Sequence, residues 1–164
     1  TRYWRDWSSD VCSSDLALIP TFSAAEAVYS EAQAGRLSPS SATFALTIGP
    51  RHRESFKMAL DAGVTIGFGT DIGVPGTTFG ENAAEFGTMV AAGMTPADAL
   101  RAATSGAGAI LGWAKAGTIA PGFWADAILV DGDPLADIGI LTNRSRIHAV
   151  IKGGVVEVDR RPEA

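Results

Sequence analysis

AGVTIGFGTDIGVPGTTFGEN, residues 62–82, is the stretch on which the reading of this chain turns. The apolar run 64–68 is short enough for a strand and too short for a helix. It stops at Gly69-Thr70-Asp71, where β-forming residues give way to Gly, Pro and Thr. A carboxylate at the carboxyl end of a buried strand, followed by a pliable loop, is where α/β folds place their chemistry. The same residue could equally do no more than close a turn, and spacing alone does not separate the two.

On either side of that stretch, strand and helix signals alternate. Leu18-Ile19 before Pro20 reads as a short strand, and 24–34, rich in Ala and Glu, as a helix closed by Gly35. A second helical stretch runs from 40 to 62, with Phe44, Ile48, Phe56, Met58 and Leu60 as its apolar positions and a break expected at Pro50. Residues 82–92 read as a helix carrying Phe86, Met89 and Val90 on one side. Thr95-Pro96-Ala97-Asp98 is a helix start, with Thr as cap, Pro first and an acid third. That helix spans 96–103, and a further one 105–111. Beyond residue 116 the character becomes β: a strand over 125–130, a turn at Asp131-Gly132-Asp133-Pro134, and a hairpin of 147–151 and 155–158 around Gly153-Gly154.

Composition limits the function classes. The 164 residues are 46% apolar with a net charge of -5, enough for a packed core and without the basic stripe a nucleic-acid partner favours. No run is long enough for a membrane helix, so no membrane partner is expected. The single Cys12 allows neither an internal disulfide nor a cysteine metal site. Residues 6–16, DWSSDVCSSDL, have neither helical nor strand period and resemble the translation of a sequencing adaptor. Segment 1–16 is therefore set apart, and natural sequence is expected from Leu16 or Ala17 onward.

Six phrases taken together resemble the C-terminal half of a metal-dependent amidohydrolase of the imidazolonepropionase-like and prolidase-like branch. They are ALIPTFSA (17–24), AGVTIGFGTD (62–71), GENAAEF (80–86), AGMTPADALRAAT (92–104), GTIAPGFWADAILVDGDPL (117–135) and VIKGGVVEV (150–158). The resemblance implies an α/β fold: the last two strands, 18–21 and 64–70, and the helices of a TIM-type (β/α)8 barrel over 17–116. Part of a small β-sandwich over 117–158 and a tail over 159–164 would follow. It implies hydrolysis of C–N bonds in an amide, cyclic amide or dipeptide, and a divalent metal: zinc first, with manganese, cobalt or iron as alternatives.

Asp71 matches the family's aspartate at the end of the last barrel strand, and would touch the metal and shuttle a proton. Thr21 and Ser23, at the mouth of the preceding strand, are candidate substrate contacts. Relatives often carry histidine where this chain has Phe79, which implies a more apolar pocket edge. Glu81 and Glu85 read as helix-start acids favoured by the dipole, Asn82 as a cap or packing residue, His52 as part of a solvated face, and His148 as structural.

The family's remaining ligands are a His-x-His pair, a lysine or glutamate, and two further histidines. With His52 and His148 as its only histidines, this chain cannot supply them. The polypeptide is therefore expected to be inactive alone, poorly soluble or oligomeric, and completed by the missing N-terminal half of the barrel. The competing reading is a non-catalytic barrel half or interaction module completed by a partner chain. A cytoplasmic location is expected, with export as the alternative.

Overall fold

A computed structural model describes residues 16–161. The adaptor-like segment lies outside the described residues except for Leu16, as does the end of the tail. The elements run β1 (Ala17–Leu18), α1 (Phe22–Gln33), α2 (Pro39–Asp61), β2 (Thr65–Ile66), α3 (Ala84–Ala91), α4 (Pro96–Ala103) and α5 (Ser105–Ile110). Then come β3 (Ala127–Val130), two 3-10 turns (Ile138–Thr142 and Arg144–Arg146), β4 (Ile147–Lys152) and β5 (Val155–Asp159).

β1 and β2 pair in parallel, Ala17 opposite Thr65 and Leu18 opposite Ile66, with α1 and α2 making the crossover between them. Parallel neighbours require such a connection, because no tight turn can join them. The ladder runs one bond further, Gly67 N–H donating to Leu18 O at 2.9 Å. Both strands are shorter than the 18–21 and 64–70 of the sequence reading. Pro20 has no N–H to donate, and Phe68 N–H turns away to Ala102 O on α4. Gly67 sits in close approach, since a Cβ there would lie 2.4 Å from Ile19 Cδ1 and 2.7 Å from Ile110 Cδ1 and both side-chain ends would have to shift.

The core forms where α1, α2, α3 and α4 meet the sheet: Phe22, Phe56, Ile66, Met89, Met94 and Ala102, flanked by Leu18, Leu60 and Phe68. Phe22 and Phe56 meet edge to face with centroids 5.1 Å apart, a favoured aromatic geometry. Each fully buried side chain of this size contributes about 1.5–3 kcal/mol.

α2 does not break at Pro50; it is one helix of 23 residues with the proline inside. The carbonyl that Pro50 leaves without a partner is that of Leu46, and both residues are exposed, so water can serve it. Packing on both sides holds the helix through the defect: Tyr29 lies against Gly49, and Phe22 against Phe56. Three of the expected apolar positions on α2 face outward: Phe44 is 68% exposed, Ile48 45% and Met58 71%. Phe56 and the small Ala45 are its buried residues.

The second sheet is antiparallel in the order β3-β4-β5. Gly153 (φ 56°) and Gly154 (φ 82°) form the hairpin turn, and a primed two-residue turn needs left-handed backbone at both positions. Consecutive residues of edge strand β3, Ile128 and Leu129, are both about half exposed, so apolar side chains stand open on both faces of that edge. The turn Ile138–Thr142 packs on α3 through buried Ile138 and Leu141. Arg144 Nη2 donates to Gly80 O at 3.4 Å, tying this part to the loop that follows β2.

Candidate active site around Asp71

Asp71 stands five residues past β2, exposed, with φ 49°. Thr21, three residues past β1, has φ 47°. They are the two non-glycine residues with positive φ among the described residues. Asp tolerates left-handed backbone; a β-branched threonine there is a genuine outlier. Such strain persists only where the surroundings over-determine it.

Both residues line one open cavity of about 260 Å³ between α1, α2 and the loop after β2. Its other walls are apolar, with Ala24 and Val28 from α1, Phe44 and Ile48 from α2, and Val74 from the loop. The loop is held by Thr77, whose hydroxyl accepts from Gly73 N–H at 3.0 Å and donates to Val74 O at 2.7 Å.

Ser23 is engaged elsewhere. Its hydroxyl donates to Glu85 Oε2 at 2.6 Å and its N–H to the same oxygen at 2.8 Å. Phe79 is 80% exposed on the loop and lines neither this cavity nor the larger one described next. A larger cavity, about 420 Å³, lies between α1 and α2 and does not include Asp71. Its charged residues, Arg53 and Glu26, form an ion pair with each other.

Two residues matter more than the sequence reading gave them. Glu85 lies in the first turn of α3, as expected of a helix-start acid, yet its fully buried carboxylate caps a different helix. Oε1 accepts from Phe22 N–H at 2.8 Å, and Oε2 takes the two Ser23 donors. These are the free N–H groups at the start of α1, where an acceptor is favoured by both hydrogen bonding and the dipole. Asn82, one helical turn earlier, donates through Nδ2 to the hydroxyl of buried Thr70 at 3.1 Å. The spacing of three between Asn82 and Glu85 was the available signal, because it puts both side chains on one side of a turn.

His52 is not on a solvated face: it is half-buried, its ring centroid 4.7 Å from that of Phe22. His148 sits half-buried in β4. Among the described residues no three His, Cys, Asp or Glu side chains come together as a metal site. A catalytic zinc typically takes about three protein ligands. The described residues therefore do not fit a complete metal centre.

The sequence profile of the amidohydrolase family matches residues 14–156. Among curated proteins, the ochratoxinase of Aspergillus niger is 37% identical over 106 residues, 63% of this chain and 21% of the relative. Among solved structures, a Xaa-Pro dipeptidase with methionine bound in its active site superposes with a TM-score of 0.78 at 35% identity, over 85% of this chain and 34% of that one. A prolidase in complex with N-methylphosphonate-L-proline gives 0.77 at 30% identity, over 90% and 36%. The chain thus spans about a fifth of the length of the curated relative and about a third of the two solved ones. No helix among the described residues is long and apolar enough to cross a membrane. The profile match covers nearly the whole described chain, and the parallel strand pair agrees with it: the protein belongs to the amidohydrolase family.

Proposed function

We propose that this chain supplies the last two barrel strands and part of the flanking β-sandwich of a metal-dependent amidohydrolase. Its reaction is hydrolysis of a C–N bond in an amide, cyclic amide or dipeptide. The observation that carries the reading is Asp71: a carboxylate past the end of a parallel strand, in left-handed backbone, at the wall of a cavity shared with the neighbouring strand end. The named activities of the similar structures, a Xaa-Pro dipeptidase and a prolidase, support a peptide-like substrate.

In this reading Asp71 is a metal contact and the proton carrier. Its carboxylate takes a proton from the attacking water and delivers it to the departing amine, which leaves poorly as an anion. The apolar walls formed by Val28, Phe44, Ile48 and Val74 favour a substrate with an apolar group beside the scissile bond. Thr21 lies where such a substrate would pass, and Phe79 offers an apolar edge if the loop meets it; the Ser23 hydroxyl proton is already held by Glu85.

The other metal ligands lie outside this chain, so the chain alone does not turn over substrate. Half-exposed Ile128 and Leu129 and the open edges of the β1–β2 pair are the surfaces that the rest of the molecule covers.

The test is an assay with zinc, manganese or cobalt against X-Pro dipeptides and N-acyl amino acids. The 164-residue chain alone is expected to give no turnover. The polypeptide that also carries the histidine-bearing strands is expected to show metal-dependent turnover, lost in Asp71→Asn. Turnover by the chain alone, or an Asp71→Asn enzyme as active as the parent, would overturn the reading.

A further inference from the structure

We propose that the turn at 82–85 is a positioning clamp that sets both strand ends of the site: Glu85 fixes Thr21 through the Phe22 and Ser23 amides, and Asn82 fixes Asp71 through the Thr70 hydroxyl. This rests on Asp71 being the acid of the site.

The clamp follows from where the bonds land. Glu85 is fully buried and reaches back 63 residues to Phe22 and 62 to Ser23, the two residues that follow Thr21. Both carboxylate oxygens are engaged, which fixes the first turn of α1 in direction as well as position. Thr21 O is bonded in the same turn, accepting from Ala25 N–H at 3.2 Å. The peptide on the carboxyl side of Thr21 is thereby held through both its N–H and its C=O, which opposes relaxation of the threonine out of φ 47°.

At the other strand end, Asn82 Nδ2 holds Thr70, the residue before Asp71. The turn is itself closed, Glu85 N–H donating to Asn82 O at 3.2 Å, so the two grips are parts of one rigid unit. Two grips from one turn land beside the two non-glycine left-handed residues of the described chain, which line the same cavity. A buried acid serving packing alone needs only satisfied oxygens; it does not need a partner grip on the second strand end. Glu85 and Asn82 are positioning residues, acting on the reaction through Thr21 and Asp71.

The decisive variants are Glu85→Gln, which keeps shape but turns an amide donor toward the donors of α1, together with Asn82→Ala, Thr70→Val and Thr70→Ser. In the complete enzyme, hydrogen exchange read by mass spectrometry on Glu85→Gln is expected to quicken at least tenfold in peptides covering 20–26. Peptides covering 147–159 should be unchanged. In Asn82→Ala and Thr70→Val the quickening is expected in 70–74.

In the complete enzyme, Glu85→Gln, Asn82→Ala and Thr70→Val are expected to lower kcat at least tenfold with KM within twofold. Thr70→Ser, which keeps the hydroxyl, should lie nearer the parent than Thr70→Val. Unchanged exchange at 20–26 in Glu85→Gln overturns the clamp. So do kcat losses that vanish when rates are normalised to the folded fraction. If the unmutated complete enzyme shows no turnover, the functional reading falls, while the exchange pattern still decides the clamp.

Discussion

Thr21 and Asp71 sit past the ends of two adjacent parallel strands, both in left-handed backbone, and face the same cavity. One is a β-branched residue for which φ 47° is strained; the other is of a type that tolerates it. Backbone strain of this kind amounts to roughly 1–3 kcal/mol per residue, and glycine relieves it while adding freedom to the unfolded chain. Thr21→Gly is therefore expected to stabilise the chain by about 1 kcal/mol, and Asp71→Asn to leave stability within about 0.5 kcal/mol. Urea midpoints of the two variants against the parent check this. Destabilisation in Thr21→Gly would mean that its side-chain contacts outweigh the strain.

Pro50 offers a second gain. An interior proline is about 3 kcal/mol less favourable than alanine, offset by about 1 kcal/mol for the stiffer unfolded chain. Pro50→Ala restores the bond to Leu46 O in a helix already continuous through that point. The expected effect is stabilisation by about 2 kcal/mol in chemical denaturation. A loss would show that Pro50 is holding a bend that Tyr29, packed on Gly49, depends on.

Much of this architecture is written in local chemistry. The start of α4 is legible because Thr95, Pro96 and Asp98 are near neighbours whose cap involves only themselves: Thr95 Oγ1 accepts from Asp98 N–H at 3.1 Å. The β4–β5 hairpin is legible because two glycines enforce its turn. Asp71 stands out because an apolar run stops just before it. The grip of Glu85 on Phe22 and Ser23 is not legible in the same way, since it joins residues more than 60 apart and a helix-start acid is already explained by its own helix. Pro50 misleads for the converse reason: helix propensity is local, whereas the packing of Phe22 on Phe56 that carries α2 past it is not. Phe44 and Ile48 carry an apolar pattern that the described residues leave largely uncovered.

Open strand edges and exposed apolar residues should govern the isolated chain in solution. Ile119 is 92% exposed, Met58 71% and Phe44 68%, while the β1–β2 pair and the edge strand β3 have unpaired backbone to offer. The expressed chain is expected to elute well above its 16.9 kDa monomer mass, as a soluble oligomer. A monodisperse monomer by light scattering would count against a covering half.

The cap of α4 couples stability to pH. The Thr95 hydroxyl, donating to Asp98 at 2.6 Å, is the main influence holding that carboxyl below its ordinary range; Arg101 adds to it. A lowered carboxylate contributes stability above its unfolded pKa, and that contribution is lost as pH falls through the folded value. Thr95→Ala is expected to cost about 1 kcal/mol near neutral pH and to move the Asp98 titration upward. The difference from the parent should shrink in acid. Urea midpoints at neutral and acidic pH, with an NMR titration of the Asp98 carboxyl carbon, check both. An unshifted titration would assign the effect to Arg101 instead.

Two glycines with nearly the same backbone separate strain from space. Gly112 (φ 69°) closes α5 with nothing within 4 Å of a would-be Cβ, whereas Gly117 (φ 73°) would place one 2.2 Å from Thr104 O and 2.7 Å from Ser105 N. Alanine at 112 meets only the left-handed penalty, about 1 kcal/mol. Alanine at 117 must also push backbone aside where the chain leaves the helices for the β part, and is expected to cost at least about 3 kcal/mol. Gly112→Ala should thus fold with a modestly lowered urea midpoint, and Gly117→Ala should lose most of its cooperative transition. Equal midpoints would show that the contact between 117 and Thr104 relaxes freely, and that the helical part and the β3–β5 sheet are joined less rigidly than the close approach implies.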